Sequence, residues 1–145
     1  MTDIDKTEDG LIEAIKAVLP NTLTVQTLET DLTAEQTDKI LALAPFVLIR
    51  SDGLDPVESE RGAQNASGLR QSDFVLFIGA KSLRSLRESQ VGCYAILNSL
   101  RALLDGKTVA IEGGASPELF LTAEGYQFTY QGLVVYQAVY SLFDY

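Results

Sequence analysis

The sequence has no histidine and a single cysteine, Cys93. Without histidine, the usual zinc, copper and non-haem iron sites and every histidine-dependent catalytic triad are excluded. A lone cysteine excludes an intrachain disulfide, and a thiolate metal site would need other kinds of ligand beside it. No apolar run is long enough to span a bilayer. The opening MTDIDKTEDG has no basic stretch ahead of an apolar one and no cleavage site, so neither membrane insertion nor export is expected. Basic residues are few, 11 against 20 acids for a net charge of −9. A field of that sign argues against general nucleic-acid binding.

What remains is the balance of a soluble globular protein, 46% apolar and 21% charged over 145 residues. That length fits one domain, residues 1–145, able to bury a real core. The charge is uneven. Residues 1–60 hold thirteen acids and four bases, whereas residues 61–145 hold seven of each. Arg61, Arg70, Lys81, Arg84 and Arg87 come before Glu88 with Asp73 alone to oppose them. These are either solvated faces or two complementary surfaces, one copy's acidic side meeting the next copy's basic side in a head-to-tail ring.

The spacing of Leu11, Ile12, Ile15, Val18 and Leu19 predicts an amphipathic helix over about 6–19, with Asp5 and Glu8 as a capping box and Pro20-Asn21 as its stop. TLTVQTL (22–28) reads as a short strand with one wet face. Thr33 and Gln36 form a second capping box for a helix that carries Ile40, Leu41 and Ala44 and ends at Pro45. FVLIR (46–50) and DFVLFIGA (73–80) read as antiparallel strands joined by a long projecting loop, 51–72. Ser85 and Glu88 form a third capping box. Leu86, Gln90, Cys93, Leu97, Leu100 and Leu104 then mark one face of a helix over about 86–104, with Gly106 as its stop. TVAIEG, ELFLTA, YQFTYQ and LVVYQAVYSLF read as strands, with Glu124-Gly125 and Gln131-Gly132 as turns. The expected fold is α+β, in the order α-β-α-β-β-α-β-β-β-β, with helices on one face of a mostly antiparallel sheet.

Catalytic chemistry finds little footing, and no catalytic, cofactor or metal site is expected. Asp52 with Asp55, or Glu58 with Glu60, are the carboxylates nearest to a cation site, but they lack calcium-loop spacing. GGAS (113–116) is a turn with no helix after it to cradle a phosphate. Cys93 reads as a small core residue. The aromatics say more. Tyr126, Phe128 and Tyr130 share one strand face by parity, and Tyr136, Tyr140, Phe143 and Tyr145 lie on the closing strand. LVVYQAVYSLFDY (133–145) has no polar face at all, and a strand in a half-solvated sheet should have one.

Four stretches together resemble the tail terminator proteins of Mu-like contractile-tailed bacteriophages. They are ALAPFVLIR, DFVLFIGAKSLR, VGCYAILNSLRALLDGK and VVYQAVYSLFDY. The resemblance runs over almost the full chain. It implies an α+β subunit that forms a homo-oligomeric, hexameric ring on the head-proximal end of the tail tube in the virion. It further implies a ring that is assembled in the host cytoplasm, stops tube and sheath polymerisation, and offers a joining surface to head or neck. Its implied partners are itself, the tail tube protein, and sheath and neck or connector proteins, with no cofactor and no catalysis. Arg61, Arg70, Lys81, Arg84, Arg87, Tyr136, Tyr140 and Tyr145 are then the candidate contact residues. Other readings stay open: another ring-forming neck protein, a monomeric adaptor that takes a peptide on its sheet edge, or a small cytosolic enzyme.

Overall fold

A computed structural model describes residues 4–28, 39–56, 70–82 and 84–144. Helix α1 (Ile4–Val18) leads to strand β1 (Thr24–Thr27); residues 39–41 are helical, and β2 (Phe46–Pro56) and β3 (Arg70–Lys81) follow. Helix α2 (Leu86–Leu104), a small hairpin of β4 (Ala110–Ile111) and β5 (Gly114–Ala115), and the long strands β6 (Phe120–Tyr130) and β7 (Leu133–Asp144) complete the chain. The main sheet has the order β1-β2-β3-β7-β6. Its β1–β2 pair is parallel and all others are antiparallel. The α+β class and the mostly antiparallel sheet are as expected.

The two faces of β7 are covered by different parts of the chain. Val134, Ala138, Tyr140 and Leu142 join Leu11 and Ile15 of α1 and Cys93, Leu97, Leu100 and Leu104 of α2 in the larger core. Each leucine buried there contributes roughly 1.5–3 kcal/mol through loss of apolar surface from water. On the opposite face, Leu133 and Val135 pack with Phe46, Leu48, Val75, Phe77, Leu28 and Ile40, and Leu41, Leu43 and Ala44 close over them. The chain thus supplies part of the second cover itself, around Ile40, and Phe143 near the strand end stays 39% exposed.

Several elements depart from the sequence pattern. Helix α1 starts at Ile4, so Asp5 lies inside the first turn and not at the cap. Strands β2 and β3 run beyond 50 and begin before 73: Leu54, Asp55 and Pro56 pair with Ser72, Gln71 and Arg70 past a bulge. The ends of the expected 51–72 loop are therefore strand, and residues 57–69 lie outside the described residues, as do Thr33 and Gln36. ELFLTA and YQFTYQ are one strand, because Glu124 and Gly125 continue the ladder opposite Ala138 and Gln137. Two bulges, between Leu121 and Ala123 and between Tyr126 and Phe128, interrupt the ladder on either side of that dipeptide. Gln131-Gly132 is a turn, with φ of 47° and 84°, the double left-handed geometry that suits a two-residue hairpin.

Helix α2 matches its sequence signals closely. Ser85 is the N-cap and its hydroxyl accepts from the Glu88 N–H at 3.1 Å. Gly106 follows the C-cap with φ of 71°. Its buried stripe, however, begins with Ser89 and not with Leu86 or Gln90; Leu86 is 53% exposed. Ser89 Oγ accepts from the Ser82 N–H at 2.8 Å and donates to the Gly132 carbonyl at 2.9 Å, tying the helix entry to both adjoining strands. A leucine there could not satisfy those groups.

Candidate functional site

The entry to α2 gathers the positive charge. Lys81 ends β3, and Arg84 and Arg87 flank the Ser85 cap; all three are exposed. The Arg87 guanidinium stands over the Tyr94 ring, 5.8 Å from its centroid. Glu88 accepts from the Ser82 hydroxyl at 2.7 Å, and that hydroxyl accepts from the Arg84 N–H at 3.2 Å. Of the other expected contact residues, Arg61 and Tyr145 lie outside the described residues, and Arg70 is placed by its backbone as the first residue of β3.

The far end of the helix layer gathers negative charge. Asp5, Glu8 and Asp9 lie in the first turns of α1; Asp5 and Glu8 line a hollow with Thr27, Leu28, Arg50 and Ser51, and Asp9 lines another with Lys6, Glu13 and Glu112. Burial, and then the neighbouring charges of Asp5 and Asp9, raise the Glu8 pKa above the usual carboxylate value.

Between α2 and β6 lies a cleft of about 450 Å³, lined by Tyr94, Leu97, Asn98, Arg101, Glu124, Gly125 and Tyr136. Tyr136 stacks edge-on with Tyr94 and with Tyr126, centroids 5.6 and 5.8 Å apart, and its hydroxyl donates to that of Tyr94 at 3.2 Å. That hydrogen bond, with burial second, pushes the Tyr136 pKa up to about 12. Gly125 leaves open space where a side chain would stand. Tyr126 is 53% exposed and Phe120, at the start of the same edge strand, 41%.

Tyr136 thus belongs to this surface, but Tyr140 does not. It is fully buried, leaving a partner nothing to touch, and burial raises its hydroxyl pKa. Parity also misplaced an aromatic: Tyr126 pairs with Tyr136 on the helix side, whereas Phe128 pairs with Val135 on the other, because the bulge between them adds a residue. The sequence pattern does not single out Tyr94 or Arg101, and it reads Glu124 only as part of a turn. Arg101 and Glu124 are 23 residues apart and nothing local links them.

Reactive chemistry is sparse among the described residues. Cys93 is buried, its thiol donates to the Val134 carbonyl at 3.2 Å, and desolvation pushes its pKa up to about 11. Ser141 donates to Asp73 at 2.6 Å within a small network that includes Gln71 and Thr122. No group of three or more cysteine, aspartate and glutamate side chains among the described residues is arranged to hold a metal ion. Asp52 and Asp55 fall within β2, and Glu58 and Glu60 lie outside the described residues.

A family described as Bacteriophage Mu, Gp37 matches residues 3–142. No curated protein is significantly similar to the chain.

Proposed function

This chain belongs to the bacteriophage Mu Gp37 family, and from that premise we propose that it is a structural protein of the phage tail. In this reading, copies join in a hexameric ring on the head-proximal end of the tail tube. The ring halts tube and sheath polymerisation and offers the neck or connector its joining surface. The role has no catalytic step; the thiol that a nucleophilic mechanism would draw on, Cys93, is buried with a raised pKa.

The observation that carries the reading is the α2–β6 rim. Strand β6 is an outermost strand of the sheet. It presents Phe120 and Tyr126 to solvent beside a tyrosine-lined cleft whose charges, Arg101 and Glu124, are paired with each other. Exposed tyrosine and phenylalanine along an open sheet edge are the chemistry of protein contacts. An adaptor that adds a peptide strand to β6 would use the same edge, as a monomer.

Electron microscopy of tail tubes polymerised with and without the protein tests the proposal. Rings on one tube end, with growth arrested, are the expected result. Tubes of unchanged length with bare ends would overturn it, and binding of an extended peptide by the monomer would favour the adaptor.

A further inference from the structure

We infer that the ring closes end to end: Asp5, Glu8 and Asp9 of one copy's α1 meet Lys81, Arg84 and Arg87 at the α2 entry of the next. This rests on the ring reading above and names the contact that makes it.

The two clusters lie at opposite ends of one helix layer. The hollow beside Asp5 and Glu8 is lined by Ser51, whose register partner is Phe74, seven residues along β3 from Lys81. At about 3.3 Å per residue the clusters are roughly 23 Å apart along the strand direction. That is more than twice the screening length of about 8 Å at physiological salt, so they do not neutralise each other within a subunit. Arg50 lines the hollow beside Asp5 and Glu8, and Glu88 adjoins Arg84 and Arg87, but none of the six makes an ion pair among the described residues.

Helix energetics gives a separate reason to expect a use for the basic cluster. The amino end of a helix carries partial positive charge, and cations there are disfavoured. Helix α1 follows that rule with Asp5 in its first turn. Helix α2 also has an acid in its first turn, Glu88, but sets Arg84 and Arg87 around the same cap. Locally unfavourable placements of this kind concentrate where a surface serves something beyond folding.

The placement of the patches bears on what they fit. A two-fold dimer would match acid with base only by burying both patches in one interface, and here they lie at opposite ends of the layer. A cyclic ring joins two different surfaces of the same chain, which is what this chain offers.

The test uses two charge-reversed full-length variants, R84E/R87E and D5K/D9K, studied by sedimentation velocity alone, mixed, and with polymerised tail tubes. Each variant alone is expected to lose ring formation, with roughly a 100-fold weaker association. Mixed one to one they regain it, because an alternating ring again places acid against base at every contact. Assembly of the wild type is expected to weaken as salt rises. Wild-type-like assembly of either variant alone overturns the inference. So does a mixture that stays monomeric while both variants melt at the wild-type temperature. A wild type that never assembles, alone or on tubes, instead removes the ring reading, and the contact with it.

Discussion

Arg101 reaches from the last turn of α2 across to Glu124 in β6, donating through Nε to Oε2 at 3.0 Å and through Nη2 to Oε1. A third donor, Nη1, holds Asn98 Oδ1 at 3.0 Å. This fork ties the long helix to the sheet's outermost strand, beside the bond that the C-cap Asp105 accepts from the Leu121 N–H at 2.9 Å. The arginine side chain is 46% exposed, so water screens the pair. Arg101→Ala should therefore cost only about 0.5 kcal/mol, a fall of roughly 1–2 °C in melting temperature. Its main effect should be local, as faster amide exchange across residues 121–126 with little change elsewhere. Uniformly faster exchange would show that the pair supports the whole fold.

Gly79 pairs with Phe46 across β2 and β3, and the Phe46 ring lies over it. A methyl group at Gly79 would stand less than 3.0 Å from three ring carbons. Gly79→Ala should cost about 2–3 kcal/mol in chemical denaturation. Combining it with Phe46→Leu should cost less than the sum of the two single changes, because the smaller side chain removes the overlap. Additive costs would mean that the strain lies elsewhere.

Cys93 should make the protein sensitive to alkali. Its thiol ionises near pH 9 when unfolded but at about 11 when folded. Above the lower value the unfolded state releases the proton first, so stability is full below pH 9 and falls as pH rises towards 11. The linkage amounts to about 3 kcal/mol at most. Stability measured from pH 8 to 11 should fall less steeply for Cys93→Ala than for the wild type. Equal slopes would show that the tyrosines, with Tyr136 pushed up to about 12, govern the loss. A thiol reagent should not react with Cys93 at neutral pH until the protein unfolds.

Tyr126 packs on Tyr136 with more than half its surface exposed. Tyr126→Ala should change stability by less than about 1 kcal/mol. It should also weaken capping of tail tubes, measured as the protein concentration needed to arrest growth. Unimpaired capping would remove the tyrosine cleft from the tube or neck contact.

Much of the fold was legible wherever a local signal coincided with a boundary. Ser85, Glu88 and Gly106 bracket α2, and Gln131-Gly132 turns β6 into β7, because caps and left-handed turns depend on residues close in sequence. The failures share another cause. Glu124-Gly125 has turn composition yet continues the ladder, and Tyr126 and Phe128 have one parity yet opposite faces because of a bulge; only the partner strand β7 reveals either fact. Tyr140 looked like an interface residue because tyrosine suits interfaces and core edges alike, and its burial depends on two helices distant in sequence. Ser89 replaced Leu86 on the packed stripe because hydrogen bonds to Ser82 and Gly132 fix the helix there. The charge division was visible from residue order, but the opposite placement of its two poles required the register of β2 and β3.

The bulges of β6 set a limit on what can be added to it. Between them, Ala123, Glu124, Gly125 and Tyr126 keep regular register with β7. A guest strand lying along this edge therefore meets four aligned residues before the ladder is broken on either side. Such an edge resists the indefinite stacking that turns exposed strands into fibrils. It remains open to brief contacts with a fixed stopping point.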